Sequence, residues 1–322
     1  MTTKTPRRVL ACAGAAIAVV TASLVASTEE RAAARAAGVG GVPELAYLPV
    51  DVAVVAWADV QVFMESGLAH RVEGLGPEGQ ARRRLEESTG ISLETDIDTI
   101  LVGVFPRGGT TEAAAITQGR FDQARIESYA LGRGGVGQSY RGIGFITREE
   151  GNETSALALL APGVIATGHS DAVRSVVDCY LGARNATTNA GLMKRIGELA
   201  GETNAWAVAR LDQLPRSATL PEAFSTHASA IEWLSVSGYL SGGVSGSLRA
   251  ETRDEESARS LRDALRGVLA TARLKVTDRP EIQAMVDSFE LDGAGNTVAL
   301  SFNLPAEFLE SLASGASQPA EQ

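Results

Sequence analysis

The stretch IEWLSVSGYLSGGVSGSLRAETR, residues 231–253, decides the fold class. Apolar and polar side chains alternate along two runs within it, and Gly242-Gly243 separates the runs. Alternation with a period of two on both sides of a glycine turn predicts an antiparallel hairpin with one apolar and one polar face. Both apolar faces can share one core only if the loop holds an odd number of residues.

The predicted loop defines a candidate binding face on this hairpin. A three-residue loop, Gly242-Gly243-Val244, places Tyr239 opposite Ser247 and Trp233 opposite Arg253, where a cation–π contact can form. The polar face then carries Trp233, Ser235, Ser237, Tyr239, Arg249, Glu251 and Arg253. Aromatic and arginine side chains on rigid strands are typical of contact surfaces. The sequence leaves one alternative open, a buried polar seam between two halves of the chain.

Further turn and helix signals extend this reading to the whole chain. Hairpin turns are predicted at Pro106-Arg107-Gly108-Gly109, Pro162-Gly163 and Asp292-Gly293-Ala294-Gly295-Asn296. Helices are predicted from Asp122 to Leu131, from a Ser170 cap to Gly182, and from Asp254-Glu255-Glu256 onward, the last with a stripe of Ala258, Leu261, Leu265, Val268, Leu269 and Ala272. The predicted class is therefore α+β, with mostly antiparallel sheets packed against helices.

The order of elements suggests two similar halves in tandem. Each half opens with an apolar strand that closes on an aspartate, VAVVAWAD at 52–59 and NAWAVARLD at 204–212. The predicted organisation is a signal peptide or anchor (1–27), a disordered tether (28–43), a first α+β half (44–200), a second α+β half (201–313) and a disordered tail (314–322).

The N-terminal segment predicts export. Three basic residues, Lys4, Arg7 and Arg8, precede an uncharged run from Val9 to Ala26, and small residues follow. This is the pattern of a cleaved signal peptide. Residues 9–26 are also long enough for a thin membrane span, so an uncleaved anchor is the alternative. With a cleaved signal or an uncleaved anchor, the rest of the chain is expected in the periplasm or outside the cell.

Charge and cysteine content exclude several classes of partner and cofactor. Removal of residues 1–27 takes away three basic and no acidic residues, so the formal charge moves from -10 to -13. Nucleic acid is therefore not an expected partner, because phosphate binding needs a clustered basic surface. Only Cys179 then remains, and one thiol can form no disulfide within the chain. No cofactor is predicted.

Three segments carry a resemblance to a known group of proteins. They are LAYLPVDVAVVAWADVQVF (45–63), TGISLETDIDTILVGV (89–104) and HSDAVRSVVD (169–178). In these segments the chain resembles uncharacterised exported bacterial proteins, including sets from acidobacteria-like genomes, that carry a domain of unknown function of the Leu-Pro-x-Asp type. The resemblance implies export and a similar fold over most of residues 45–312. It implies no catalytic residue.

Several short motifs match catalytic or cofactor patterns but lack the required context. Residues 132–137 spell G-x-G-x-x-G, yet a helix is predicted before them and a strand, Gln138 to Thr147, after them, which reverses the dinucleotide-binding order. His169-Ser170-Asp171 are adjacent in sequence, whereas a catalytic triad is assembled in space. Ser245 lies between two strands and lacks the following helix of a nucleophile elbow.

No metal site is predicted. Asp96 and Asp98 precede a strand and are assigned turn and cap roles, because a calcium loop needs more oxygen ligands at fixed spacing. His70 and His227 lie in polar stretches, and no pair of histidines has the spacing of zinc ligands.

These observations favour a non-enzymatic binding or structural module of the cell envelope, with an unknown envelope protein or a glycan as its partner. The alternative is an envelope hydrolase whose site is assembled only in the fold. Contact with a membrane is expected only through the N-terminal segment, if it stays uncleaved.

Overall fold

The computed structural model describes residues 41–65, 91–92, 95–151, 153–199, 203–214, 228–240, 243–275 and 280–305. Within them the chain forms a twelve-stranded sheet whose paired strands are all antiparallel. The strands are β1 (Val54–Asp59), β2 (Ile97–Arg107), β3 (Thr110–Gly119), β4 (Val136–Tyr140), β5 (Ile143–Glu150), β6 (Glu153–Ala161), β7 (Val164–His169), β8 (Ala205–Arg210), β9 (Ile231–Leu240), β10 (Gly243–Thr252), β11 (Glu290–Asp292) and β12 (Thr297–Pro305). The predicted antiparallel sheet with helices is confirmed, and strands dominate the molecule.

The strand order across the sheet is β11-β12-β10-β9-β8-β1-β2-β3-β7-β6-β5-β4. The two apolar strands that open the predicted halves, β1 and β8, are therefore neighbours. Trp57 and Trp206 face each other across this pair, and their stacked rings have centroids 6.3 Å apart. Because Trp206 is fully buried and Trp57 nearly so, this aromatic pair anchors the junction between the two sides of the sheet.

Helices cover both faces of the sheet. They are α1 (Val60–Glu65), α2 (Gln123–Gly132), α3 (Ser170–Tyr180), α4 (Ala190–Leu199), α5 (Glu255–Lys275) and α6 (Pro280–Asp287). We call the side with α3, α4 and the 3₁₀ segment Pro43–Tyr47 the first face, because their apolar residues share one core with the two tryptophans. On the second face, α1 and α2 pack in one cluster and α5 in another.

The long helix α5 begins as its sequence predicts. The carboxylate of Asp254 accepts a hydrogen bond from the backbone N–H of Ser257 at 2.7 Å, which is the geometry of an N-cap. Ala258, Leu261 and Leu265 are buried, so the first half of the predicted stripe is core. Val268 is 53% exposed, so the predicted stripe does not continue as buried core beyond Leu265.

Most predicted turns are confirmed, and three local predictions need correction. Val42 is buried in the main core, so the ordered body starts before the predicted boundary at residue 44. The single strand predicted from Gln138 to Thr147 is two strands, because Arg141 (φ +50°) and Gly142 (φ +86°) form a tight turn. Ser170 does not cap α3: His169 holds the cap position, and no side chain caps this helix.

Several sequence predictions lie outside the described residues. They are the signal or anchor segment 1–27, residues 28–40 of the tether, His70, His227 and the tail 314–322.

Candidate functional site

The hairpin of β9 and β10 has the predicted alternation but not the predicted register. Tyr239 pairs with Ser245 instead of Ser247, and Trp233 pairs with Glu251 instead of Arg253. The last pair before the loop, Val244 with Leu240, leaves three residues between the strands, so the odd loop length is confirmed. A shift of two residues keeps every side chain on its predicted face.

The Trp233 end of the predicted binding face is covered. Trp233 is only 9% exposed and belongs to the core of the first face. The guanidinium of Arg195, on α4, lies 4.0 Å from the centre of its ring, and that of Arg210 lies 5.5 Å away. The cation–π partners are thus Arg195 on α4 and Arg210 on β8, and not Arg253 on the facing strand.

Charged pairs connect α4 to the same face. Arg195 donates two hydrogen bonds to the carboxylate of Glu251, at 3.0 and 2.6 Å, and a third to the backbone oxygen of Gly191. Arg249 lies 3.8 Å from Glu198. Ser235 on β9, which pairs with Arg249, is 4% exposed. This end therefore matches the alternative that the sequence left open, a polar seam between the halves.

The other end of the hairpin face is more open. Tyr239 is 43% exposed, and the hydroxyl groups of Ser237 and Ser247 are hydrogen-bonded at 2.8 Å. Arg253 is exposed beyond the end of β10. Of the predicted binding residues, Tyr239, Arg249 and Arg253 are exposed, while the others are buried or half-buried.

His169, Ser170 and Glu112 meet where β3, β7 and α3 come together. Nδ1 of His169 lies 3.1 Å from the backbone nitrogen of Ala113 and 3.3 Å from the backbone oxygen of the same residue. Neither Ser170 Oγ nor Glu112 Oε2, both buried, has a hydrogen-bond partner in the part of the chain that the structure describes. Nδ1 of His169 is thus engaged by the backbone of β3 and not by the hydroxyl of Ser170.

Arg107 extends this polar cluster. Its guanidinium lies 3.3 Å from the carboxylate of Asp51, donates to Ser175 Oγ at 3.2 Å and lies 4.0 Å from Glu112. The cluster therefore joins the loop before β1, the β2–β3 hairpin and α3, which is a structural role.

The G-x-G-x-x-G segment and Asp96 have the local structure that the sequence predicted, whereas Asp98 lies inside β2 and not before it, and Ser245 does not lie between two strands. Gly132 ends α2 and Val136 begins β4, so the G-x-G-x-x-G segment connects a helix to a strand. Ser245 lies inside β10. Asp96 accepts a hydrogen bond from the backbone of Ser92 in a turn. Among the described residues, no group of histidine, cysteine and carboxylate side chains could hold a metal ion.

The edge strand β4 is a feature that sequence reasoning missed. Among the described strands β4 has a single neighbour, β5, and four of its five residues are exposed, with Val136 at 65%. Its sequence, VGQSY, contains no charged residue and no proline. Every second residue of such an edge turns its backbone N–H and C=O away from the sheet. β4 thus presents hydrogen-bonding groups that a further strand could use.

Both ends of β4 are held in place. At its start, a Cβ on Gly135 would lie 2.6 Å from the carbonyl oxygen of Ala130, so only glycine allows the close approach to α2. At its end, the hydroxyl of Tyr140 donates to Asp178 on α3, and Arg141 donates to the same carboxylate at 2.7 Å. Burial and the Asp178 carboxylate raise the pKa of Tyr140, which keeps this phenol protonated as a donor.

The opposite edge of the sheet has a different composition. β11 is three residues long, and two of them, Glu290 and Asp292, are exposed carboxylates. Short strands and charged residues are the usual protection of an edge against pairing. β4 carries neither protection.

A cavity of about 450 Å³, open to solvent, lies on α2 and is lined by Ala124, Arg125, Ser128 and Tyr129. No helix in the described part of the chain is both long and apolar enough to cross a membrane.

Comparison with known proteins gives the fold and no family. No family model and no curated protein matches the chain. Two crystal structures of TP0453 are similar in fold: crystal form III is 12% identical, with a TM-score of 0.51 over 85% of this chain and 98% of that chain. Crystal form I is 11% identical, with a TM-score of 0.50 over 86% and 99%. At this level of identity the likeness concerns the fold alone.

Proposed function

We propose that the protein is a non-catalytic binding module of the cell envelope that holds a protein partner by strand addition at β4. The observation that carries this proposal is the uncharged, exposed edge of a sheet whose other edge is short and acidic. In strand addition, backbone hydrogen bonds supply much of the affinity and alternate side chains supply specificity. A polypeptide can make these bonds and a glycan cannot, so the partner is a protein.

The rigidity of β4 supports this role. A segment that is already extended loses less conformational entropy when its partner binds. Gly134 and Gly135 at one end, and the Arg141-Gly142 turn at the other, set the bounds of an already extended strand. The partner therefore meets a template that needs no rearrangement.

The tandem arrangement is part of the same proposal. Outward from β1 the order is β2, β3, β7, β6, and outward from β8 it is β9, β10, β12, β11. The parallel order supports two similar halves joined at β1 and β8. The first half has the β4–β5 hairpin in addition, and we assign the binding role to this extra piece.

Export is the remaining part of the proposal and rests on residues 1–27. The mature chain is expected to start between residues 22 and 37. Mass spectrometry of the protein from its native envelope checks this expectation. A chain that still begins at Met1 would favour the anchor.

The binding role is tested by copying the acidic pattern of β11 onto β4. In the variant Val136→Glu/Ser139→Glu, captured envelope proteins are expected to be lost, because charged side chains oppose a new strand. Glu290→Gln on β11 is the matched control and should keep them. Circular dichroism shows whether both variants fold. Equal capture by a folded β4 variant and wild type would refute binding at this edge.

A further inference from the structure

The charges at the two ends of β4 restrict what can pair with it. Arg133 follows α2 immediately before the strand and is exposed, with its guanidinium 5.9 Å from the centre of the Tyr129 ring. Arg141 follows the strand, and its side chain is 52% exposed even though it pairs with Asp178. An added strand would therefore have an arginine near each end, while β4 itself contributes no charge.

Asp178 pairs with one nitrogen of the Arg141 guanidinium, which is still half exposed, and the other nearby carboxylates lie away from the open side. Glu149 and Glu153 belong to β5 and β6, which lie on the far side of β4 from an added strand. Each intervening strand adds about 4.8 Å of separation. Glu127 on α2 is exposed, but Arg125 on the same helix is exposed as well.

A second copy of this chain fits this edge poorly. In an antiparallel pair of two β4 strands, Arg133 of each copy would approach Arg141 of the other. In a parallel pair, each arginine would approach its own counterpart. Like charges meet in both arrangements, and such juxtaposition opposes association.

The side chains next to the edge add a second requirement. On the second face, Leu131 of α2 is 41% exposed, and a Cβ on Gly137 would lie 3.4 Å from it. On the first face, Val136 is 65% exposed. An added strand would meet an apolar side chain on each face, so apolar residues suit its core.

Resting on the proposed function, we infer that the partner of β4 is an extended peptide segment with an uncharged, largely apolar core of about five residues and acidic residues at both ends. The backbone of β4 binds the core. Arg133 and Arg141 bind the acidic ends and select against basic or self-complementary partners.

Three synthetic peptides test this inference. They share one five-residue core of alternating Val and Ala, which is apolar on both faces, and their flanks are Asp-Asp, Ser-Ser or Lys-Lys at both ends. With fluorescent peptides at low salt, the acidic one is expected to bind at least about tenfold more tightly than the neutral one. The difference should shrink at about 0.5 M salt, because exposed charges are then screened.

Variants identify the charges responsible. In the variants Arg133→Gln and Arg141→Asn, the affinity for the acidic peptide should approach the affinity for the neutral one. Asparagine is chosen at position 141 because it tolerates positive φ. Arg259→Gln, on the exposed surface of α5, is the control and should change neither affinity.

The outcomes separate the two proposals. Equal affinity for all three peptides, lost in Val136→Glu/Ser139→Glu, would overturn the acidic preference and leave strand addition standing. No binding of any peptide, or binding that this β4 variant does not reduce, would overturn both. Concentration-dependent dimerisation that the same variant abolishes would replace the peptide by a second copy.

Discussion

The two outer edges of the sheet differ in length, charge and support. β11 is short and acidic, whereas β4 is longer, uncharged and held by α2, α3 and a tight turn. A protein that only had to avoid aggregation would protect both edges alike. Under the proposed function, this difference leaves β4 open for pairing with a partner strand. We therefore expect the β11 side and the β4 side of the sheet to differ in the stability and reactivity of the residues that support them.

The largest expected effect concerns the β11 side, whose second face depends on α5. Leu265→Ala should lower the free energy of unfolding by about 2–5 kcal/mol, because the buried side chain contacts the sheet core. Val268→Ala, on the exposed part of the same helix, should stay within about 0.5 kcal/mol of wild type. Urea unfolding measures both. Similar values for the two variants would show that α5 does not secure this side.

On the β4 side, α3 is expected to pack tightly against the sheet and to keep its Cys179 buried. Burial, followed by the nearby carboxylates of Asp178 and Asp51, raises the pKa of this thiol to about 11. At pH 8 the thiolate should therefore be at least about 100-fold less abundant than in the unfolded chain, where the pKa is about 8.5. A disulfide reagent should react correspondingly slowly with the native protein. Reaction at the unfolded rate would mean that α3 opens readily and supports β4 poorly.

The polar seam between the two sides should contribute a smaller amount to the free energy of unfolding. Glu251→Ala removes the acceptor of two short hydrogen bonds and leaves Arg195 without its carboxylate over Trp233, so the expected loss is about 1.5–3 kcal/mol. Asp263→Ala, which breaks an exposed pair with Arg266, is the control and should change stability by less than about 1 kcal/mol. A loss at Glu251 no larger than this control would mean that the seam does not hold the sides together.

The smallest effect is expected at the cap of α5. Hydrogen bonds from the backbone and hydroxyl of Ser257 lower the pKa of Asp254. Stability from this cap is fully present above the unfolded pKa of about 3.9 and is lost as pH falls through the lower folded value. Compared with Asp254→Asn, wild type should therefore lose stability below about pH 4. Parallel stability curves through this range would contradict the assigned cap.

Local features of this fold could be read from the sequence where a specific residue controls them. The turns after Arg107, Ala161 and Asp292 each contain a glycine that takes positive φ, so they were predictable. The turn at Arg141-Gly142 also contains a glycine at positive φ, but it was missed because its first position holds an arginine and not the asparagine, aspartate or glycine typical of such turns. The hairpin register was wrong by two residues because alternation fixes only the face. β10 also pairs with β12, and the sequence of the hairpin does not predict this contact.

The candidate site was less predictable because it depends on contacts that are distant in sequence. Nothing in residues 231–253 indicates that Arg195 lies over Trp233. Likewise, the sequence of β4 shows that it is uncharged but not that it ends the sheet. That position follows from the order of all twelve strands. Sequence patterning gave the faces of the strands, and tertiary pairing decided which surfaces stay open.

The central claim is that β4, and not β11, holds a partner in the native envelope. Site-specific photo-cross-linking tests it directly, with a photoreactive phenylalanine derivative at Ser139 on β4 or at Glu290 on β11, both exposed. On irradiation of intact cells, we expect a defined higher-mass product from position 139 and none from position 290. The product should disappear when Val136→Glu is added. Cross-linking from position 290 alone, or no product from position 139 in a folded and exported protein, would contradict the account.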